Sequence, residues 1–344
     1  MRVALLSLLF AIFGALPALA EPCTGAQAQL THIAKQLTIN SFDGVKSELQ
    51  SLSTSHPDCM EIVLQQARLA QAEGDPDTAA ELFYRYTDND PNDSRGLAYF
   101  GRFFLEQRDY TRADALSGVA MQRNPNDPAV LALRGQILVM KGQSSAGQAL
   151  LEKAVQLDPE DPEAQFQLGT IYDTAKSAPK AVKYFRAVVK LNPRDARACD
   201  YLSLNLEPLG ELDGADQAYR KGLEVNQPGR YHDSFLDYNY GRFLAKRNDL
   251  ADGKQHLDRA VEIIPQIRAV WYERARLDMR MQNYEQARAD GERAAACTQT
   301  GGIIDLQIYS LLSQVYTRLG DKALAKKYTD LIRETPAPVR GESR

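Results

Sequence analysis

Residue patterns of catalytic and metal sites are scarce in this sequence. It has four histidines and four cysteines among 344 residues. The histidines are His32, His56, His232 and His256. No two of them stand three or four residues apart, as two metal ligands on one helix would. The G-x-S-x-G, phosphate-loop and H-E-x-x-H signatures are also missing from the sequence. We therefore expect no metal site, no cofactor and no enzymatic activity.

An excess of charge of one sign is lacking as well. Lys and Arg number 41 against 45 for Asp and Glu, which gives a formal net charge of −4. This balance provides no general attraction to nucleic acid or to an anionic membrane. Because 44% of the residues are hydrophobic, the chain has enough apolar material for a large core, and we expect it to be folded throughout.

A long apolar run occurs at residues 3–20 and ends in Ala-Leu-Ala, the small-x-small pattern that signal peptidase recognises. Gly14 and Pro17 interrupt the run near its end, which favours a cleaved signal peptide over an uncleaved membrane anchor. We predict that residues 1–20 are removed and that the mature chain begins at Glu21. The protein would then be exported, periplasmic or secreted, and would meet a membrane only through a partner.

Small residues and prolines recur at a fixed interval of 34 residues. The proline series is Pro57, Pro91, Pro125, Pro159 and Pro193. Two series of small residues keep the same interval: Ala79, Ala113, Gly147, Ala181 and Ala215, and Gly101, Gly135 and Gly169. A unit with two periodic apolar stretches and a closing proline predicts a helix–turn–helix, since proline cannot continue the helix. The small residues allow the two helix axes to approach closely.

One unit contains Leu168-Gly169 and Tyr172, then Ala181, Phe185 and Pro193. This order resembles the tetratricopeptide repeat, in which Leu-Gly, Tyr, Ala, Phe and Pro hold fixed positions. The resemblance implies an all-α, right-handed superhelical solenoid of about eight to nine helix pairs. It also implies a concave groove, lined mainly by the first helix of each pair, that binds another protein or a peptide segment.

The proposed organisation follows the repeat interval. After the signal peptide, residues 21–59 would form an N-terminal helical hairpin or a degenerate first repeat. Residues 60–339 would form the repeat array, with insertions near 228–233 and 298–305, where the interval is broken. Residues 340–344 would be a disordered tail.

The cysteines predict one disulfide. Cys23 stands before the first helix of the first hairpin and Cys59 follows its second helix, so antiparallel packing brings the two to the same end. Export would supply the oxidising compartment that such a bond needs. Cys199 and Cys297 are two repeats apart, too far to be bridged, and we expect them to be small buried packing residues.

Arginines and tyrosines predict a binding surface in the groove. One position of four first helices holds Arg68, Arg102, Arg242 and Arg276, with Tyr99, Tyr238 and Tyr272 close by in sequence. These positions lie opposite the apolar stripe of each helix. Because arginine forks and aromatic faces often anchor peptides, we predict that this set binds carboxylates of a partner segment. Acidic residues on the same face leave open a simple alternative, a solvated surface with internal ion pairs.

Two other classes of function remain open. The chain could be an accessory subunit of an envelope enzyme, or a divergent hydrolase whose site assembles from distant residues. It could also be a self-associating structural array. A deep closed pocket with convergent titratable groups would favour an enzyme, whereas an open trough would favour a protein-interaction scaffold.

Overall fold

The computed structural model describes residues 23–39, 41–298 and 302–335. The predicted signal peptide, residues 1–20, and the predicted tail, residues 340–344, lie outside the described residues. Within the described ranges the chain forms eighteen α-helices and no β-strand. In chain order, α1 to α18 are Gln27–Thr38, Val45–Ser55, Met60–Glu73, Pro76–Asn89, Ser94–Glu106, Tyr110–Arg123, Pro128–Met140, Ser144–Leu157, Pro162–Thr174, Ala178–Leu191, Ala196–Leu206, Leu212–Val225, Leu236–Lys246, Leu250–Ile263, Arg268–Arg280, Tyr284–Ala296, Asp305–Leu319 and Lys322–Glu334.

Aspartates and prolines define where helices begin and end. The carboxylates of Asp93, Asp127 and Asp161 accept hydrogen bonds from free N–H groups in the first turns of α5, α7 and α9. Prolines of the 34-residue series, such as Pro91, lie in the turns between one helix pair and the next. The local sequence thus sets the borders of the pairs before any tertiary contact forms.

The turn within each pair contains one residue with positive φ. It is a glycine in four pairs, where the missing Cβ removes the steric penalty of the left-handed conformation. Other side chains adopt the same conformation in the remaining pairs from α3 onwards. The residues are Gly74, Arg108, Gly142, Lys176, Gly210, Asn248, Gln282 and Gly320. This turn reverses the chain, so the second helix of each pair runs back along the first.

From α3 to α18 the helices pack as eight successive pairs, and the first helices of neighbouring pairs also contact one another. One face of the array is therefore built from the first helices α3, α5, α7, α9, α11, α13, α15 and α17. The predicted all-α solenoid is confirmed. Clusters of buried residues each join several pairs, one from α3 to α7 and another from α9 to α13, because no single pair can bury its apolar surface alone.

The first two helices complete the N-terminal end. Both α1 and α2 pack against α3 and share a buried core with it. The predicted disulfide between Cys23 and Cys59 is present, with a Cα–Cα distance of 4.9 Å. Cys199 is buried and Cys297 partly buried, and neither is bridged. Burial raises the pKa of the Cys199 thiol to about 12, which suits a packing residue rather than a reactive one.

Two connections between pairs are longer than the others. They are residues 226–235, between α12 and α13, and residues 297–304, between α16 and α17, of which 299–301 lie outside the described residues. Both occur where the sequence interval is broken. No helix in the described part of the chain combines the length and apolar character needed to cross a bilayer.

Candidate binding groove

The predicted groove residues fall into two sets that line different cavities. The N-terminal set comprises Arg68, Tyr99 and Arg102, on α3 and α5. The C-terminal set comprises Tyr238, Arg242, Tyr272 and Arg276, on α13 and α15, of which the two arginines line a shared cavity. We call the face of α3, α5, α7 and α9 the N-terminal section and the face of α13 and α15 the C-terminal section.

Arg68 is held by contacts within the N-terminal section. Its guanidinium lies 4.6 Å from the ring centroid of Tyr99, a cation–π distance. It also donates to Gln65 Oε1 at 2.8 Å and to Thr38 Oγ1 at 3.3 Å. Two of its five donors are thus used inside the protein.

Arg102 is more deeply placed. Its side chain is 13% exposed, and one terminal nitrogen lies 3.9 Å from Asp161 Oδ2. Its Nε is buried and has no hydrogen-bond partner within the described residues. The predicted binding of carboxylates by the groove arginines stays a prediction. Both sections contain internal contacts, since Arg68 bonds to Gln65 and Thr38 and Arg276 bonds to Glu273.

The connection at residues 226–235, which we call the strap, crosses the N-terminal section. Its base is closed by Asn226, whose amide donates to Asp233 O at 2.8 Å and accepts from Asp233 N at 2.9 Å. At its tip, Tyr231 is 7% exposed and its hydroxyl donates to Thr38 O at 3.1 Å. The strap therefore links α12 and α13 to the end of α1, 193 residues away in sequence.

Arg230 of the strap lies between two first helices. Its guanidinium is 3.1 Å from Glu106 Oε1 at the end of α5 and 3.7 Å from Glu163 Oε2 at the start of α9. Glu163 also lies 3.6 Å from Arg197. Burial raises the pKa of Glu163, but the guanidinium groups of Arg197, Arg230 and Arg102 outweigh it and lower the pKa to about 2.

Cavities remain on both sides of the strap. The inner one, about 230 Å³, lies between the strap and the ends of α1, α3, α5, α7 and α9. The outer one, about 760 Å³, includes Leu105, Tyr110 and Met140 beside the strap's Pro228 and Arg230. Tyr110 and Met140 are each 51% exposed. The strap therefore occupies only part of the N-terminal section, and both cavities remain beside it.

The charged residues that line the cavity of the C-terminal section are mainly cations. This cavity of about 110 Å³ is lined by four cations and one acid: Arg242, Lys246, Arg276, Arg280 and Glu273. The guanidinium of Arg242 lies 5.3 Å from the ring centroid of Tyr238. No carboxylate of the described residues lies within 4.0 Å of that guanidinium. Arg276 lies 5.7 Å from the ring centroid of Tyr272 and pairs with Glu273 at 2.9 Å on the same helix.

A buried acid, Asp200, lies on α11. Burial raises the pKa of Asp200 well above its ordinary value, and the neighbouring Asp233 carboxylate raises it further. Asn239 donates to Asp200 Oδ2 at 2.8 Å, and this bond and the charge of Arg242 both act in the opposite direction.

Comparison with known families identifies the repeat. Models of the tetratricopeptide repeat match residues 70–137, 132–196 and 306–329. The chain contains tetratricopeptide repeats. No curated protein matches the sequence.

Solved structures share the tetratricopeptide-repeat architecture at low identity. A chain of the APC/C hetero-tetramer Cut9–Hcn1 is 13% identical with a TM-score of 0.61, covering 85% of this chain and 59% of that one. Human IFIT1, as a dimer with PPP-AAAA, is 16% identical with a TM-score of 0.52, covering 86% and 68%. Pseudomonas aeruginosa PilF is 19% identical with a TM-score of 0.51, covering 61% and 92%. At these identities the similarity shows the fold alone.

Four residues that matter to the groove of this tetratricopeptide-repeat chain are not among those predicted from the sequence. They are Glu106, Glu163, Arg197 and Arg230. The repeat pattern assigns no special role to their positions, and Arg230 lies in an insertion with no periodicity. The one available signal was the insertion itself, because Gly-Arg-Tyr is an unusual content for a simple spacer.

Proposed function

We propose that the protein is a non-catalytic interaction scaffold whose C-terminal section binds an acidic segment of a partner protein. The observation that carries this proposal is the unpaired guanidinium of Arg242 in a cavity lined by four cations and one acid. A carboxylate that enters this cavity would gain a charge-assisted and potentially bidentate hydrogen bond. The function of tetratricopeptide repeats as protein-binding surfaces supports the same interpretation.

The aromatic residues explain why a peptide suits the site better than a free anion. Tyr238 and Tyr272 hold the guanidinium groups of Arg242 and Arg276 by stacking, and both rings are only partly buried. Their remaining faces can pack on the apolar stem of an acidic side chain or on a neighbouring residue of the partner. The site would therefore recognise a carboxylate of the partner together with the apolar surface next to it.

A catalytic role for the inner cavity of the N-terminal section is less well supported. Its charged groups pair with one another, as Glu163 does with Arg197 and Arg230. A carboxylate with a pKa of about 2 stays ionised and is a weak base, so it is poorly matched to acid–base catalysis at neutral pH. These groups fit a structural or binding role better.

Peptide selection tests the proposed site. A displayed library of random peptides would be selected on the full chain, and the affinity of the selected peptides measured by fluorescence anisotropy. We expect acidic residues to be enriched and the Arg242→Ala/Arg276→Ala double variant to bind roughly 10- to 100-fold more weakly. The melting temperature should scarcely change, because neither guanidinium is buried in the core.

Arg186→Ala provides a matched control. Arg186 is on a second helix, α10, is about half exposed and pairs with Glu211 at 2.6 Å. Its loss should leave peptide affinity unchanged. Equal affinity for the double variant and the parent chain would reject the site. A large fall in the melting temperature of the double variant would instead indicate that the two arginines are structural.

We also propose that the protein is exported. The apolar run at residues 3–20 and the disulfide between Cys23 and Cys59 support this proposal independently, since stable disulfides are typical of oxidising compartments. Protein purified from its native host should begin at Glu21 when sequenced from the N-terminus. Recovery of the intact Met1 form in the membrane fraction would mean that the run is an anchor.

A further inference from the structure

The strap makes contacts of the kind expected of a bound peptide. Arg230 places one guanidinium between carboxylates of two different first helices, Glu106 on α5 and Glu163 on α9. Neither carboxylate belongs to the strap or to the helices that carry it. Each lies on a repeat well separated in sequence from residues 226–235, so the contact is tertiary rather than part of the local turn.

The ring of Tyr231 completes this arrangement. It is 7% exposed and lies 5.0 Å from the guanidinium of Arg197, which also stacks on Phe166 at 4.4 Å. Its hydroxyl donates to Thr38 O, at the last residue of α1. A carbonyl at a helix end has no partner within the helix, so this bond satisfies a group that would otherwise need water.

The charge of the surrounding surface favours a cation. Without Arg230, the inner cavity is lined by five acids and three cations: Asp127, Asp158, Glu160, Asp161 and Glu163, against Arg68, Arg95 and Arg102. This is the opposite balance to the C-terminal section. The N-terminal section is thus suited to a guanidinium and the C-terminal section to a carboxylate.

The outer cavity offers a path for a longer chain. Tyr110 and Met140 line it and are each 51% exposed, so the strap leaves these apolar groups largely uncovered. A segment that extends beyond an Arg-aromatic pair could pack against them. The strap therefore pairs with the charged and polar groups of this surface but leaves part of its apolar area exposed.

We propose that the N-terminal section is a binding site for an external segment carrying arginine followed by an aromatic residue. The strap is an internal ligand that occupies the site through Arg230 and Tyr231. This inference rests on the proposed segment-binding function and adds a second site, which binds a cationic and aromatic segment rather than an acidic one. An external segment must compete with the strap, which is tethered beside the site. The high effective concentration of the strap therefore weakens binding of the external segment to the intact chain.

The test uses a labelled, end-blocked peptide with the strap sequence Gln-Pro-Gly-Arg-Tyr-His-Asp and the full chain with its strap disabled. Fluorescence anisotropy should show that Arg230→Ala/Tyr231→Ala binds this peptide about tenfold or more tightly than the parent chain does. Adding Glu163→Gln to the double variant should weaken binding about tenfold, because the guanidinium loses one of its carboxylates. A peptide with alanine in place of arginine should not bind.

Gln227→Ala is the matched strap control, because Gln227 is exposed and its side chain makes no hydrogen bond with the described residues. It should behave as the parent chain. A folded double variant, with native circular dichroism and a cooperative melt, that fails to bind the peptide would overturn the proposal and leave the strap as a brace.

If the double variant does not fold, Arg230→Lys provides a milder test, because lysine keeps the charge but loses the fork. Peptide affinity should then be higher than for the parent chain, and unchanged affinity would equally overturn the proposal. Arg242 and Arg276 are intact in every variant. A negative result with the strap peptide would therefore not argue against acidic-peptide binding by the C-terminal section. Conversely, if the C-terminal section does not bind acidic peptides, the strap-peptide measurement is unaffected.

Discussion

Glu163 shows how one residue can interact with the helix dipole and also form tertiary ion pairs. It stands in the first turn of α9, where the free N–H groups and the helix dipole favour a negative charge. Gln167 donates to Glu163 Oε1 at 2.9 Å, and Arg197 and Arg230 approach the other oxygen. The carboxylate thus joins three parts of the chain: its own helix, the start of α11 and the strap.

Acid should weaken the protein through this residue. The pKa of Glu163 is about 2 in the folded chain against 4.5 as its ordinary value. Since the folded value is the lower one, the stabilisation is present above pH 4.5 and is lost as the pH falls towards 2. The shift corresponds to a free energy of the order of 3 kcal/mol.

Urea unfolding at several pH values can measure this contribution. Between pH 7 and the acid limit, the parent chain should lose about 3 kcal/mol more unfolding free energy than Glu163→Gln does. Glu160→Gln is a suitable control, because Glu160 is exposed and lines the same cavity. Parallel stability curves for the parent and Glu163→Gln would contradict this role.

Within each helix pair, small residues determine how closely the axes approach. A Cβ added at Gly135 on α7 would lie 2.9 Å from Gly147 O and 2.8 Å from Leu151 Cγ on α8. The first of these atoms belongs to the backbone and cannot move without shifting the whole helix. The glycine in the 34-residue series is therefore required by packing.

Two glycine substitutions should act in opposite directions. Gly135→Ala should destabilise the protein by about 1–3 kcal/mol, because the added methyl group forces α7 and α8 apart. Gly118→Ala, in α6, should be neutral or stabilising by up to about 1 kcal/mol, since a Cβ there meets nothing within 4 Å. Thermal and urea unfolding would measure both. A neutral Gly135→Ala would show that the pair can separate at little cost.

Across the whole molecule, the strap departs from the usual behaviour of a solenoid. In a simple array each repeat contacts only its neighbours, and stability is a sum of local terms. Here Tyr231 joins the connection after α12 to the end of α1, and Arg230 adds links to α5 and α9. The first half of the array is therefore closed on itself and should unfold more cooperatively than its repeats alone would.

The strap also makes the two sections of the groove differ, because it crosses one of them and not the other. The strap crosses the N-terminal section, whose inner cavity is lined by five acids and four cations, whereas the cavity of the C-terminal section is lined by four cations and one acid. The N-terminal end is further secured by the disulfide, which closes the segment containing α1 and α2. On the chain-entropy model such a loop contributes roughly 3–4 kcal/mol.

Local periodicity was enough to predict the helix pairs, and the resemblance to the tetratricopeptide repeat implied about eight to nine of them stacked as a solenoid. Prolines and glycines act on φ and on close approach within a few residues, so their 34-residue interval translates directly into turns and contacts. The pairing of Cys23 with Cys59 was also predicted correctly, although α1 and α2 pack more closely on α3 than on each other.

The roles of the groove arginines depended on tertiary structure. Arg68 and Arg242 hold the same repeat position, yet Arg68 is bonded to Thr38 of α1 and Arg242 has no carboxylate within 4.0 Å among the described residues. The difference comes from what lies opposite each residue across the groove. The curvature of the stacked repeats and the path of residues 226–235 decide that. The sequence shows where the insertion occurs but not where it runs, because contacts across such a distance depend on the sum of many small rotations between repeats.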